Sequence, residues 1–143
     1  MSVKQISVFL ENKPGSLSHM TKVLADNGID MRAFSLAEAS DFGIARVIVD
    51  DVYATTTVLR DAGFVHSVST VLAVALSDTP GGLHHALVAL EAAQVNIEYM
   101  YAFLGGKENS AYMIFRVTDE KAAALALNTA KVRLVEQEEL NEL

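Results

Sequence analysis

A segment built on a Pro-Gly pair occurs twice in the chain, and no other feature limits the possible folds as much. The first copy is ENKPGSL (11–17) and the second is SDTPGGL (77–83), so Pro80 stands 66 positions after Pro14. Each copy follows an apolar run that alternates like a strand and precedes the apolar spacing of a helix. Such a turn is an ordinary way to start a helix. It also leaves backbone N–H groups open to an anion, so the rest of the chain decides between the two interpretations.

The same order of predicted elements accompanies both copies. In the first half, the hydrophobic spacing predicts strands at 3–11, 29–39, 43–50 and 64–70, with helices at 16–27 and 53–62. The second half predicts strands at 71–77, 95–104, 111–117 and 131–136, with helices at 82–93 and 119–128. A fixed period over two supersecondary units indicates duplication. We therefore predict an α+β fold of two ferredoxin-like βαββαβ units, 1–70 and 71–143, each with an antiparallel sheet and its helices on one face.

Several residues mark the predicted ends of these elements. Asp51 and Asp119 are placed to act as helix N-caps, and Gly28 and Gly63 follow helices where a left-handed residue is favoured. No flexible linker separates the halves, so the fourth strand should run almost directly into the fifth. The acidic tail 137–143 is predicted to be a frayed helix or partly disordered.

Apolar side chains occur on both faces of the second strand in each half. Strand 29–39 carries Ile29 and Met31 on one face and Phe34 and Leu36 on the other. An antiparallel sheet that is covered by helices on one face usually has a polar second face. We therefore expect a second chain to cover these strands and predict a homodimer.

Composition excludes several classes of protein. The chain has 143 residues, a formal net charge of −7 and scattered Lys and Arg residues, which argues against binding to nucleic acid. Cysteine is absent, which excludes disulfides and thiolate metal sites. The longest uncharged run, 62–77, is shorter than the ~20 residues that cross a bilayer. No signal-like apolar start is visible, so we expect a cytoplasmic protein that does not bind membranes.

Two motifs resemble those of the ACT domain family: NKPGSL (12–17) after the first strand and NGIDM (27–31) at the start of the second. The resemblance covers nearly the whole chain as two tandem ACT domains, although Gln94 stands where a glycine is usual. ACT domains are regulatory modules that bind small ligands, most often amino acids, at interfaces between paired domains. They occur in enzymes such as phosphoglycerate dehydrogenase and aspartokinase, and as free-standing proteins. With nothing left over for a catalytic domain, this chain resembles the free-standing kind.

The resemblance implies one ligand site for each half. The implied contacts are Asn12, Pro14, Gly15, Ser16, Leu17 and Asp30 in the first half, and Asp78, Pro80, Gly81, Gly82, Leu83 and Asn96 in the second. Backbone N–H groups of each loop would hold an α-carboxylate, and the aspartate and asparagine oxygens would hold an α-ammonium group. The Gly81-Gly82 pair permits a closer backbone approach than Gly15-Ser16, so the second loop is expected to hold the ligand more tightly. The sequence leaves open whether one or both loops are occupied, and whether a pocket forms within one chain or across a dimer.

These features favour a non-enzymatic regulatory protein of amino-acid metabolism that binds an amino acid. The alternative is a regulatory subunit that docks on a biosynthetic enzyme such as acetolactate synthase. Catalysis is least favoured, because no acid–base pair or nucleophile motif is visible. No metal or other cofactor is expected. His84 and His85 are adjacent on a predicted helix and point about 100° apart, which does not suit a shared metal ion.

Overall fold

Residues 2–143 are described by a computed structural model, and they divide into two units with the same order of elements. The N-terminal unit is Lys4–Ser69. The C-terminal unit consists of Thr70–Leu143 together with Ser2 and Val3. Each unit has an apolar core of its own.

The N-terminal unit packs two helices on antiparallel strands. Its elements are β1 (Val3–Glu11), α1 (Ser16–Asp26), β2 (Met31–Ala39), β3 (Phe42–Val49), α2 (Val52–Asp61) and the first part of β4 (His66–Ser77). β3 lies between β1 and β2 and is antiparallel to both, so β1 and β2 run in the same direction. The core joins alternate residues of β1 and β3 to the apolar stripes of the helices, through Ile6, Val8, Leu10, Met20, Leu24, Ala45, Val47, Val49 and Leu59.

The C-terminal unit repeats this arrangement. After the second part of β4 come α3 (Gly82–Ala92), β5 (Ile97–Ala102), β6 (Ser110–Val117), α4 (Glu120–Thr129), β7 (Arg133–Leu134) and α5 (Gln137–Glu142). β6 is antiparallel to both β4 and β5, and β7 pairs antiparallel with β4. The core contains Leu72, Val74, Leu76, Ala86, Leu90, Val95, Phe115, Val117, Ala123, Leu127 and Val132. Together the units confirm the predicted α+β class and the ferredoxin-like architecture.

The predicted helix caps are confirmed. The Asp51 carboxylate accepts a hydrogen bond from Ala54 N–H, and the Asp119 carboxylate accepts one from Ala122 N–H, each at 3.0 Å. These bonds satisfy N–H groups that a helix cannot pair internally.

β4 is one uninterrupted strand, whereas two successive strands were predicted for this part of the chain.

The four strands that follow helices start two residues later than predicted, at Met31, His66, Ile97 and Arg133. The reason is the same at each site. One residue after the helix adopts a positive φ, and the next residue donates its N–H back to the last helical turn, as Ile29 does to Leu24 C=O at 3.0 Å. The equivalent bonds are Phe64 to Leu59, Val95 to Leu90 and Val132 to Leu127. This pattern is the Schellman motif. Its backward hydrogen bond ties the residue that follows the positive φ to the end of the helix, so the strand starts later.

The tail was predicted to be a frayed helix or partly disordered, and the structure shows the helix but not the fraying. Residues Gln137–Glu142 form α5, in which the Leu140 side chain has no solvent exposure. The Arg133 guanidinium donates to the Glu139 carboxylate at 2.7 Å, and this contact raises the pKa of Arg133. The burial of an apolar side chain, which the acidic sequence conceals, keeps the tail helical. Across residues 2–143 there is no helix with the length and hydropathy that crossing a membrane requires.

Candidate functional site

Both Pro-Gly loops end in a glycine with a left-handed backbone. Gly15 has φ 90° and ψ −17°, and Gly81 has φ 90° and ψ −6°. Each glycine carbonyl accepts the first helical hydrogen bond, from His19 N–H at 2.9 Å and from His85 N–H at 3.0 Å. Residues with a Cβ rarely adopt this conformation. The two loops therefore share one backbone shape despite their different sequences.

The helices that follow these loops begin without a side-chain cap. Neither α1 nor α3 has a side-chain hydrogen bond at its N-cap, whereas aspartates cap α2 and α4. Ser16 N–H donates to Lys13 C=O at 3.3 Å, and Gly82 N–H donates to Thr79 C=O at 3.1 Å, so the loops use these two groups internally. The next two N–H groups of each helix precede the first helical bond. With the positive helix end behind them, they suit a bound carboxylate.

A cleft of about 310 Å³ opens beside the first loop. It lies between the end of β1, the start of α1 and the β2–β3 hairpin, and the predicted contacts Asn12, Ser16 and Leu17 line it. Asn12 holds the loop to the hairpin, because its side-chain amide donates to Glu38 Oε1 at 3.3 Å and to the Ser40 carbonyl at 3.1 Å. The loop and the hairpin are thus joined to each other, and residues of both line the cleft.

A second type of cleft lies on the other side of each loop. In the N-terminal unit it measures about 240 Å³ and is lined by Ser16, His19 and Gly63 among others. Its counterpart in the C-terminal unit measures about 310 Å³ and includes the equivalent His85 and Lys131. The predicted contacts Pro80, Gly81 and Gly82 line this second cleft, while Pro14, Gly15, Asp78 and Leu83 are exposed on their loops.

Within one unit, the structure does not bring Asp30 to the Pro-Gly loop. The ends of β1 and β2 are neighbours, because Glu11 and Ala39 both pair with Phe42. Asp30 precedes the start of β2 and is therefore a whole nine-residue strand away, about 30 Å. Its carboxylate holds the Arg32 guanidinium at 2.8 Å.

Asn96 has the same position relative to the second loop. Asn96 N–H donates to Thr118 Oγ1 at 3.3 Å, and its carbonyl accepts from Thr118 N–H at 3.1 Å. Asp30 makes the equivalent pair of bonds with Asp50, at 3.1 Å each. Both residues thus mark the far end of their sheets from the loops. Neither residue can therefore share a small ligand with the Pro-Gly loop of its own unit.

The charges on the first loop are paired. Lys13 Nζ lies 2.9 Å from Glu11 Oε2, and this contact holds the pKa of Glu11 below its usual value. At the equivalent positions of the second loop, Ser77 Oγ and Thr79 Oγ1 are 2.8 Å apart. The first loop therefore presents an ion pair where the second presents two hydroxyls.

The glycine pair of the second loop has a structural role. A Cβ on Gly82 would lie 2.1 Å from the Ser77 carbonyl oxygen, so this position excludes every side chain. The close approach that Gly82 permits is therefore to the chain's own backbone. Ser16 occupies the equivalent position in the first loop and carries a side chain there.

Residues of the β2–β3 hairpin were not predicted for the site. Leu36 and Glu38 line the first cleft, and Leu36 is 52% exposed. In the C-terminal unit, Lys131 and His85 line the cleft beside Pro80, Gly81 and Gly82 and were also not predicted for the site. His85 Nε2 lies 2.8 Å from the Ala130 carbonyl oxygen. The available signal was the turn-forming pair Ser40-Asp41 between the predicted strands 29–39 and 43–50, which is typical of a hairpin. Within residues 2–143, no group of histidine and carboxylate side chains is arranged to hold a metal ion.

Comparisons with known proteins agree on the fold. The family model described as an ACT domain pair matches residues 1–143. A crystal structure of a Bacteroides thetaiotaomicron protein is 36% identical with a TM-score of 0.92, and the match covers 100% of this chain and 98% of that one. The ligand-free regulatory subunit of aspartate kinase from Thermus thermophilus is 17% identical with a TM-score of 0.64, over 89% and 91% of the chains. The corresponding subunit from Thermus flavus is 19% identical with a TM-score of 0.57, over 90% and 92%. No curated protein matches the sequence.

Proposed function

The chain belongs to the ACT domain pair family, and we propose that it is a non-enzymatic regulatory protein that binds a free amino acid. ACT domains are regulatory modules, and this family membership extends over the whole chain. The proposed role is in amino-acid metabolism, where the bound amino acid reports its own supply. A homodimer and a cytoplasmic location are part of the proposal. The cytoplasm is proposed because the ligand and the enzymes that the protein would regulate are found in that compartment.

The observation that carries the proposal is the repeated loop. Two segments with different sequences adopt the same left-handed glycine conformation and open the same uncapped helix end beside a cleft. The starts of α2 and α4, by contrast, are capped by aspartates. An uncapped N-terminus is a natural place for the carboxylate that every amino acid carries.

The α-ammonium group is bonded to the same carbon atom as the carboxylate, so it requires oxygen atoms close to the helix end. Asp30 and Asn96 offer them, as do Asn12 and Asp78 on the loops. Because Asp30 and Asn96 lie at the far ends of their own sheets, the proposal assigns each of them to the loop of a neighbouring unit. Ligand binding would then favour one packing of the units over another, which is the requirement for a regulatory change.

Thermal unfolding in the presence of each of the twenty amino acids tests the proposal. A ligand at ~100 times its Kd stabilises the folded state by about 2.7 kcal/mol, which raises Tm by several degrees. We expect one amino acid, or a small chemically related group, to give this shift. If no amino acid raises Tm and none is retained in equilibrium dialysis, the proposal is wrong.

Carboxylate variants locate the site. Asp78→Ala and Asp30→Ala should each weaken binding of the active amino acid at least about tenfold, as expected for a lost charge-assisted hydrogen bond. Asp61→Ala is the matched control, because Asp61 is an exposed carboxylate at the end of α2 that does not line any of the three clefts described above. Unfolding without ligand must be measured in parallel, since Asp30 also holds Arg32. Equal affinity in all three variants would reject the assignment of these carboxylates.

A second candidate function is that of a regulatory subunit bound to a biosynthetic enzyme such as acetolactate synthase. The Thermus thermophilus regulatory subunit of aspartate kinase shows that a chain of similar fold and length can occupy such a role. A pull-down from the source cell separates the two functions. A stoichiometric catalytic partner supports the subunit, whereas recovery of this chain alone supports the free-standing regulator.

A further inference from the structure

The cleft beside Pro80, Gly81 and Gly82, which we call the Lys131 cleft, is lined by a lysine whose charge is unpaired. Lys131 is exposed, and no carboxylate anywhere in residues 2–143 forms an ion pair with its Nζ. The described residues that line this cleft include His85 as well, but no aspartate or glutamate. The cleft thus offers a cation without a counter-charge in a protein whose formal net charge is −7.

The clefts beside the first loop have a different charge balance. Glu11 and Glu38 line the cleft that faces the β2–β3 hairpin, together with Lys13. Glu11 and Lys13 also line the cleft on the other side of that loop. Lys13 Nζ is already held 2.9 Å from Glu11 Oε2, and the position equivalent to Lys131 is occupied by Gly63. The unpaired cation is therefore a property of the second loop.

A hydrogen bond fixes the turn that carries Lys131 against the start of α3. His85 Nε2 lies 2.8 Å from the Ala130 carbonyl oxygen, which can only accept, so Nε2 carries the hydrogen. Lys131 is the next residue of the chain. In the N-terminal unit, the equivalent His19 contacts the Phe64 ring, with 5.3 Å between the ring centroids. The lysine is thus attached to the helix end of its loop through a polar contact, where the first unit uses a ring contact.

Two hydroxyl groups add a hydrogen-bond donor to the Lys131 cleft. Ser77 and Thr79 both line it, and their side-chain oxygens are 2.8 Å apart. A hydrogen bond between two hydroxyls uses one of their two hydrogens, so the other is available to an oxygen atom of a ligand. A cation and a neutral donor suit anionic oxygen atoms.

We infer that the Lys131 cleft binds a small dicarboxylate, and this inference rests on the proposed function, which places one carboxylate at the open end of α3. Lys131 binds the second carboxylate. A cleft with charge of one sign concentrates ligands of the opposite sign. Its volume of about 310 Å³ is near the lower limit of small-molecule sites, roughly 300–1,000 Å³, which fits a ligand of this size.

The two loops are therefore expected to differ in ligand. The carboxylates that line the first cleft oppose a second negative charge on a ligand, whereas the Lys131 cleft selects for it. A dicarboxylate can carry an ammonium group, as aspartate and glutamate do, or lack one, as succinate does. With an acidic amino acid, Asp78 on the same loop is the available partner of the ammonium group.

Isothermal titration calorimetry with acid and amide pairs tests the charge preference. L-Aspartate is compared with L-asparagine, L-glutamate with L-glutamine, and succinate is titrated separately. Each pair has nearly the same size and differs in the second negative charge. We expect one of the two acids to bind at least about tenfold more tightly than its amide, as for a hydrogen bond to a charged group.

Lysine variants assign this preference to the cleft. Lys131→Gln should weaken binding of the acid at least about tenfold and leave binding of the amide nearly unchanged. Lys121→Gln is the matched control, because Lys121 is an exposed lysine on α4 that does not line the cleft. Lys131→Gly introduces the residue of the first unit. It should also lose the acid, yet its Tm without ligand should rise because glycine adopts the positive φ of this position without strain.

Acetylation of amines locates the bound ligand on the wild-type protein. The acid that binds should slow the acetylation of Lys131, measured by mass spectrometry, and leave that of Lys121 unchanged. Equal protection of both lysines would mean a general charge effect and would count against the cleft.

The remaining outcomes separate the ligand class from the proposed function. Equal affinity for acid and amide, or equal affinity of the wild-type protein and Lys131→Gln for the acid, would overturn the inference. If succinate binds and no amino acid does, the dicarboxylate site stands and the proposed function fails. If an uncharged amino acid binds and neither acid does, the proposed function stands and the inference is wrong. Protection of Lys131 by inorganic phosphate alone would reject a dicarboxylate as the ligand.

Discussion

The two units form the same helix ends with different residues. In the N-terminal unit, Gly28 and Gly63 adopt the positive φ that follows α1 and α2. In the C-terminal unit, Gln94 and Lys131 occupy the equivalent positions with φ of 56° and 60°. Both units nevertheless complete the same backward hydrogen bond to the helix. The shape of the turn is thus set by the Schellman hydrogen bonds, and glycine only lowers its conformational free energy.

The loops show the opposite relation between residue and shape. Gly15 and Gly81 are the same residue with nearly the same dihedral angles, although their neighbours differ. The first loop is fixed by Asn12 and the β2–β3 hairpin, and the second by the contact of Gly82 with Ser77. Both units therefore have the same open helix end, although different contacts hold their loops. This similarity is what we expect if both loops bind a ligand.

The largest predicted effect concerns α5, a helix of the C-terminal unit that has no counterpart in the N-terminal unit. Leu140→Ala in α5 should lower the free energy of unfolding by about 2–5 kcal/mol, because it leaves a cavity where a side chain had no exposure. Leu125→Ala is the control, since Leu125 on α4 is 69% exposed, and its effect should stay within about 0.5 kcal/mol. Both are measured by denaturant unfolding. Equal effects of the two substitutions would show that α5 does not contribute to the stability of the fold.

The next largest effect is expected when equivalent residues are exchanged between the two loops. Gly82→Ser gives the second loop the residue of the first, and it should lower the free energy of unfolding by about 1–3 kcal/mol because the Cβ would overlap the Ser77 carbonyl. The reverse exchange, Ser16→Gly, meets no such contact and should lower it by less than about 1 kcal/mol. Urea unfolding of the two variants gives the comparison. A tolerant Gly82 position would mean that the second loop is as adaptable as the first.

The sequence predicted the fold well because the duplicated period and the apolar spacing are local signals. Asp51 and Asp119 show this, since an N-cap needs nothing beyond the next turn. The order of the tail helix was not predicted, because the burial of Leu140 depends on distant partners that its acidic neighbours do not indicate. The separation of Asp30 from its loop was likewise not visible, since it follows from strand order and direction.

A smaller effect tests the helix ends themselves. Gln94→Gly and Lys131→Gly should each raise the free energy of unfolding by about 1 kcal/mol, because glycine adopts a positive φ without strain. Gly28→Ala and Gly63→Ala should lower it by a similar amount, and a Cβ at either glycine meets no atom within 4 Å, so sterics do not contribute. Chemical unfolding of the four variants checks the symmetry. Opposite signs in the two units support the account, whereas destabilisation by both glycine substitutions would mean that the side chains of Gln94 and Lys131 stabilise the turns.

The smallest effect distinguishes the ion pair of the first loop from the hydroxyl pair of the second. Lys13 holds the pKa of Glu11 below its ordinary value of 4.5, so the pair stabilises the fold above that pH and the contribution is lost as the pH falls through the folded-state pKa. Titration of the Glu11 carboxyl by NMR should show the lowered midpoint, and Lys13→Thr should return it toward 4.5. The exchange of both residues for their counterparts, Glu11→Ser with Lys13→Thr, should remove this pH dependence and leave a loop like the second. Salt should reduce the shift, because both side chains are exposed. An unshifted Glu11 in the wild-type protein would mean that the two loops are electrostatically alike.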